Sequence, residues 1–176
     1  MSCDITLGRK EACKTSVGGL KAVYFINYDG ALLSGATFTG DLMTAVTAVT
    51  PSFKYELKGD NNTFEEANEN SRDNGTSFFT QTGALVLKVQ DSATQAELTL
   101  LSYGRPHVII EDHNGNFRLA GAKNGVEVSV STSTGGAMGD LNGYNLSFEG
   151  KEINMSTYVD SALMGAVDGF TVTEGA

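Results

Sequence analysis

The chain has 176 residues and carries 12 Lys or Arg against 21 Asp or Glu, a formal charge of −9. Apolar residues make up 40% and charged residues 19%, enough for the core of a single domain over 1–176. The acidic excess argues against a protein that wraps nucleic acid by neutralising phosphates, and no apolar run approaches the ~18 residues that a transmembrane helix needs.

Residues 1–20 hold few large apolar side chains and read as an extended N-terminal arm. Lys21 to Tyr28 (KAVYFINY) is rich in β-formers and reads as a strand buried on both faces. Asp29-Gly30 signals a turn, and a short strand is expected near Ala36 to Thr39. Asp41 to Thr50 mixes helix- and strand-forming residues, and Pro51 punctuates it. Ser52 to Lys58 alternates, with Phe53, Tyr55 and Leu57 on one face, which is the pattern of a half-buried strand. Residues 59–75 collect Asp60, Glu65, Glu66, Glu69 and Asp73 among asparagines and glycines, and read as a long polar loop or an exposed ribbon. Thr76 to Gln90 is a long β-rich run in which Gly83 suggests a bend or bulge.

Ser92-Ala93-Thr94-Gln95 has the form of a capping box, with Ser92 as the N-cap. Ala96, Leu98, Leu100, Leu101 and Tyr103 follow as an apolar face, and Gly104 and Pro106 end the segment. One helix is therefore expected near residues 93–103, packing its Leu98–Leu101 side on the sheets. His107 to Asp112 and Phe117 to Ala120 flank Asn114-Gly115, a strong hairpin signal. Val126 to Thr132 and Tyr144 to Glu152 both alternate, with Val126, Val128, Val130, Tyr144, Leu146 and Phe148 inward. The tail from Ala162 fits a short helix or a last strand at Phe170 to Thr173. The fold class is mainly β: an antiparallel sandwich or barrel with one flanking helix.

Chemistry-bearing patterns are sparse. Cys3 and Cys13 lack the paired spacing of a zinc site, and His107 and His113 do not share a helix face. Asp112-His113-Asn114-Gly115-Asn116 imitates the start of a calcium loop, but Phe117 and Lys123 stand where Gly and Glu are needed. No nucleophile elbow or phosphate-cradling loop is present. The expectation is no catalytic residue, no metal and no cofactor. Charge is uneven: residues 1–21 sum to +2, 22–124 to −5 and 125–176 to −6. A basic start and an acidic end attract each other between neighbouring copies, although acidity also serves plain solubility.

The order of elements, with strands, a polar segment, a long strand, one capped helix and then a hairpin and more strands, resembles the tube protein of phage tails and related contractile injection systems. Gly143-Tyr144-Asn145-Leu146-Ser147-Phe148-Glu149-Gly150-Lys151-Glu152 is similar to closing strands of phage virion proteins. The opening, Met1-Ser2-Cys3-Asp4-Ile5-Thr6-Leu7-Gly8-Arg9-Lys10, is similar to structural proteins of phages infecting Bacteroidetes. The resemblance implies a homo-oligomer of stacked hexameric rings around a channel that conducts the genome, in contact with other tail or connector proteins. It implies localisation to the virion after assembly in the host bacterial cytoplasm; the N-terminus lacks a signal-peptide pattern, and no membrane anchor is expected. DNA would pass without specific binding along an acidic lining. Strand phase makes Glu56, Glu111, Glu127 and Glu149 the candidate bore-lining acids. Alternative readings are a head–tail connector, a tail terminator, a head-decoration protein, or a monomeric β-sandwich that binds glycans.

Overall fold

A computed structural model describes residues 5, 7–11, 13–46, 49–165 and 169–175. Cys3, and with it any pairing with Cys13, lies outside the described residues, as do positions 47–48 of the ambiguous 41–50 segment. In chain order the strands are β1 Leu20–Ile26, β2 Thr37–Thr39, β3 Leu42–Ala45, β4 Thr50–Glu56, β5 Thr63–Ser71 and β6 Thr76–Lys88. Helix α1 Ser92–Tyr103 follows, then β7 His107–Asp112, β8 Phe117–Ala120, β9 Glu127–Ser133, β10 Gly143–Glu152, β11 Thr157–Val159 and β12 Phe170–Glu174.

The strands form two sheets. The larger has the order β12-β4-β1-β7-β8-β11-β3-β2, and the smaller β5-β6-β10-β9. The fold is thus a mainly β, two-sheet sandwich with one flanking helix. Pairing is antiparallel apart from β11 with β3 and β12 with β4, which run parallel.

Alternation along β1 explains how the layers stack. Val23 and Phe25 join Leu85, Leu87, Val128, Tyr144, Leu146 and Phe148 in the layer between the sheets. Ala22, Tyr24 and Ile26 point the other way, into a second cluster with Met43, Leu119, Val159, Leu163 and Phe170. That second cluster draws on both β12 and β3, from opposite ends of the larger sheet, so the sheet curls around it. The central strands β1 and β7 are therefore buried on both faces, as the unbroken apolar runs of the sequence require.

Three local expectations change. Of the two forms expected for residues 59–75, the exposed ribbon holds and the long loop does not, because Thr63–Ser71 pairs along its whole length with β6. Gly83 introduces no bulge, since the registers of β6 with β5 and with β10 run through it unbroken. The ring of Phe148 fills the space where a Gly83 Cβ would stand, 2.1 Å from its Cε1. The glycine thus makes room for an aromatic ring packed across the sheet. The helix N-cap is Asp91 rather than Ser92: its carboxylate accepts from the Thr94 amide at 2.8 Å. Gly104 ends the helix as expected, in an extended conformation with φ −90°. On the helix only Leu98 is fully buried; Leu101 is half-buried and Leu100 and Tyr103 face solvent.

Candidate functional site

The outer face of the smaller sheet is the most distinctive surface. Inward positions on β6, β9 and β10 are taken by Leu85, Leu87, Val128, Leu146 and Phe148, so the residues between them face out. The registers then define rows across all four strands. Glu65 on β5 stands opposite Thr82 on β6, Thr82 opposite Glu149 on β10, and Glu149 opposite Glu127 on β9. The next row is Thr63, Ala84, Ser147 and Ser129. On the other side of the acidic row, Ala67, Thr80 and Lys151 align. Small polar side chains thus surround a row holding three carboxylates.

This face is concave and encloses a trough of about 880 Å³, with Arg105 at its β9 end. Lys151 lies 3.6 Å from Glu149, both more than half exposed, and its ammonium is 5.8 Å from the Phe78 ring centroid. An exposed pair of this kind contributes about 0–1 kcal/mol and leaves the surface field acidic. With Glu69, which shares the outward phase of β5, four acids stand here against Lys88, Lys151 and Arg105.

Of the four acids expected from strand phase, Glu127 and Glu149 meet on this face. Glu56 does not. It lies on β4 of the larger sheet, opposite Ala22, and is 3.4 Å from Lys54, which also binds Glu174 at 2.7 Å. Glu111 is not a surface acid either: its side chain is 7% exposed and ion-paired with Lys21, and the Tyr24 hydroxyl donates to it at 2.7 Å. Burial, and next the bond to Glu111, push the Tyr24 phenol well above its ordinary pKa. The physical reason is that β7 is covered on both faces, so neither phase of that strand leads to solvent.

Glu65 completes the acidic row and was hidden in the sequence by its neighbour. Phe64 packs inward, and Glu66 also points inward despite its charge. Glu66 accepts from the Ser156 amide at 2.6 Å and hydroxyl at 2.8 Å, and from Gln81 Nε2 at 3.0 Å. Arg118 Nη1 approaches it at 3.5 Å. The buried carboxylate ties the smaller sheet to β8 and to the segment before β11. Gln81 extends the link by accepting from the Gly121 amide at 2.8 Å.

Both His107 ring nitrogens meet backbone groups: Nδ1 donates to the Gly121 carbonyl at 2.7 Å, and Nε2 accepts from the Asp29 amide at 3.0 Å. Its ring stacks on Tyr28, whose ring Arg105 approaches to 4.0 Å. His113 is exposed in the β7–β8 turn. Asp112 spends its carboxylate on that same turn, accepting from the amides of Asn114 at 2.8 Å and Asn116 at 2.9 Å. Partial burial opposes ionisation of Asp112, but the bonds from Asn116 and then Asn114 prevail and lower its pKa. Among the described residues no three His, Cys, Asp or Glu side chains group as metal ligands.

The arm is anchored at the same turn. Asn114 accepts from the Val17 amide at 3.0 Å and donates to its carbonyl at 2.8 Å. Further out, Ile5 and Leu7 are 93% and 85% exposed. No protein-family model, curated protein or solved structure matches this chain.

Proposed function

We propose that this chain is a self-assembling structural subunit of a phage tail tube, with the outer face of the β5-β6-β10-β9 sheet turned toward the channel. The observation that carries the reading is the concave acidic face, where Glu65, Glu149 and Glu127 share one row among threonine, serine and alanine. A conduit for DNA must offer phosphates no cation-rich surface on which counterion release would drive binding. Carboxylates repel the polyanion over a screening length of about 8 Å at physiological salt, so the lining acts as a soft wall. In and beside the acidic row, Thr63, Thr82, Ser129 and Ser147 present no large apolar group to catch on bases.

One sheet edge supports assembly. Strand β5 pairs only with β6 among the described residues and so leaves one edge open to another chain, whereas β9, at the other end of the sheet, has helix α1 beside it. No helix among the described residues is long and apolar enough to cross a membrane. On this reading the subunit resides in the virion, its partners are copies of itself and neighbouring tail proteins, and it carries no catalysis.

Negative-stain microscopy of the purified protein at increasing concentration tests the proposal. Rings or tubes with an open channel are expected. A monodisperse monomer at high concentration contradicts it.

A further inference from the structure

Helix α1 is apolar on two opposite sides. Leu98 points into the core, with Leu101 beside it. At 100° per residue, Ala93, Ala96, Leu100 and Tyr103 form a second stripe on the far side, and all four are exposed. Leu100 is 66% and Tyr103 85% exposed. A surface helix needs only one apolar face to hold it to its own core, so the outward stripe lacks a purpose in the single chain.

The same chain carries a second bare apolar feature, in the arm. Ile5 and Leu7 are exposed, two positions apart in the sequence, and are followed by Arg9, Lys10 and Lys14 with the single acid Glu11. The helix bears one charge, Glu97, and its N-terminus begins at Asp91. Apolar groups therefore match apolar groups, and the arm's cations match Glu97 on the flank of the stripe, since the Asp91 carboxylate is spent on Thr94. The arm is held at Val17 by Asn114, and twelve extended residues beyond that anchor reach about 40 Å.

We infer that the arm of one copy docks through Ile5, Leu7, Arg9 and Lys10 on the outward stripe of α1 in a second copy. The two surfaces are different parts of one chain, so the contact closes as a two-fold pair where two copies exchange arms, and otherwise propagates from copy to copy into a ring or a filament. This inference concerns self-association alone and stands without the tube reading.

Disulfide trapping tests it in a full-length background with Cys3→Ser and Cys13→Ser. One preparation adds Leu7→Cys and a second adds Leu100→Cys. Mild oxidation of the mixture should give more covalent dimer than either preparation alone, with a linkage between positions 7 and 100 in its peptide map. Arg9→Glu with Lys10→Glu should reduce its yield severalfold, as should high salt. No heterodimer overturns the inference. So does a chain carrying both Leu7→Cys and Leu100→Cys that cross-links only within itself. Microscopy of the same samples separates the two proposals. Rings without trapped heterodimer leave the tube reading standing and remove this contact. Heterodimer without rings does the reverse.

Discussion

Replacing Gly83 with alanine perturbs the sheet that carries the acidic face at its most crowded point. An ideal Cβ there would lie 2.1 Å from Phe148 Cε1 and 2.2 Å from Cζ. Carbon atoms pack at about 3.5–4.0 Å, so the ring would have to retreat by about 1.5 Å. It has little room, because Phe148 is 2% exposed and stacks with Phe64 at 6.1 Å between ring centroids. Overpacking of this kind costs about 1–3 kcal/mol. Alanine recovers about 0.4–1 kcal/mol by stiffening the unfolded chain, since Gly83 does not require a positive φ. Gly83→Ala should therefore destabilise the chain by about 1–2 kcal/mol net in urea melts. In a Phe148→Leu background the same substitution should be close to neutral, giving a coupling of about 1–2 kcal/mol. A Gly83→Ala variant more stable than the parent would refute the packing argument.

Glu66→Ala should cost about 3–5 kcal/mol in the same melts, because it strands the buried Gln81 amide and removes the partner of Arg118 and Ser156. On the helix, Leu98→Ala should cost about 2–5 kcal/mol. Asp91→Ala should cost about 1 kcal/mol by loss of the cap, while Ser92→Ala should be nearly silent; the reverse order would return the cap to Ser92. Asp112→Ala should cost about 1 kcal/mol at neutral pH. The Asp112 pKa is lowered in the folded chain, so its contribution is present above about pH 4 and is lost as pH falls through the folded value. Parent and variant stabilities should converge in acid, and a constant difference across the titration would contradict the turn geometry.

Much of the fold was legible where the pattern is local. The β7–β8 hairpin follows from Asn114-Gly115, and β9 and β10 follow from strict alternation. The helix was legible too, but the capping-box pattern placed its cap at Ser92, whereas Asp91, an equally good cap, makes the bond to Thr94. What the sequence concealed depends on partners distant along the chain. Strand β5 reads as polar on both faces because the inward Glu66 is satisfied by Gln81, Arg118 and Ser156, none of them nearby in sequence. Gly83 reads as a break because the ring that fills its place belongs to Phe148. The acidic row was half legible. Strand phase found Glu127 and Glu149, missed Glu65 with its strand, and placed Glu111 outside because the second layer over β7 is invisible locally.

Which surface of the subunit faces the channel is the central question. A cryo-electron microscopy reconstruction of the assembled particle, at a resolution that traces strands, measures this directly. The β5-β6-β10-β9 sheet is expected to line the lumen with Glu65, Glu127 and Glu149 pointing inward. A lumen lined by the larger sheet or by net positive charge, or a particle with no channel, would contradict it.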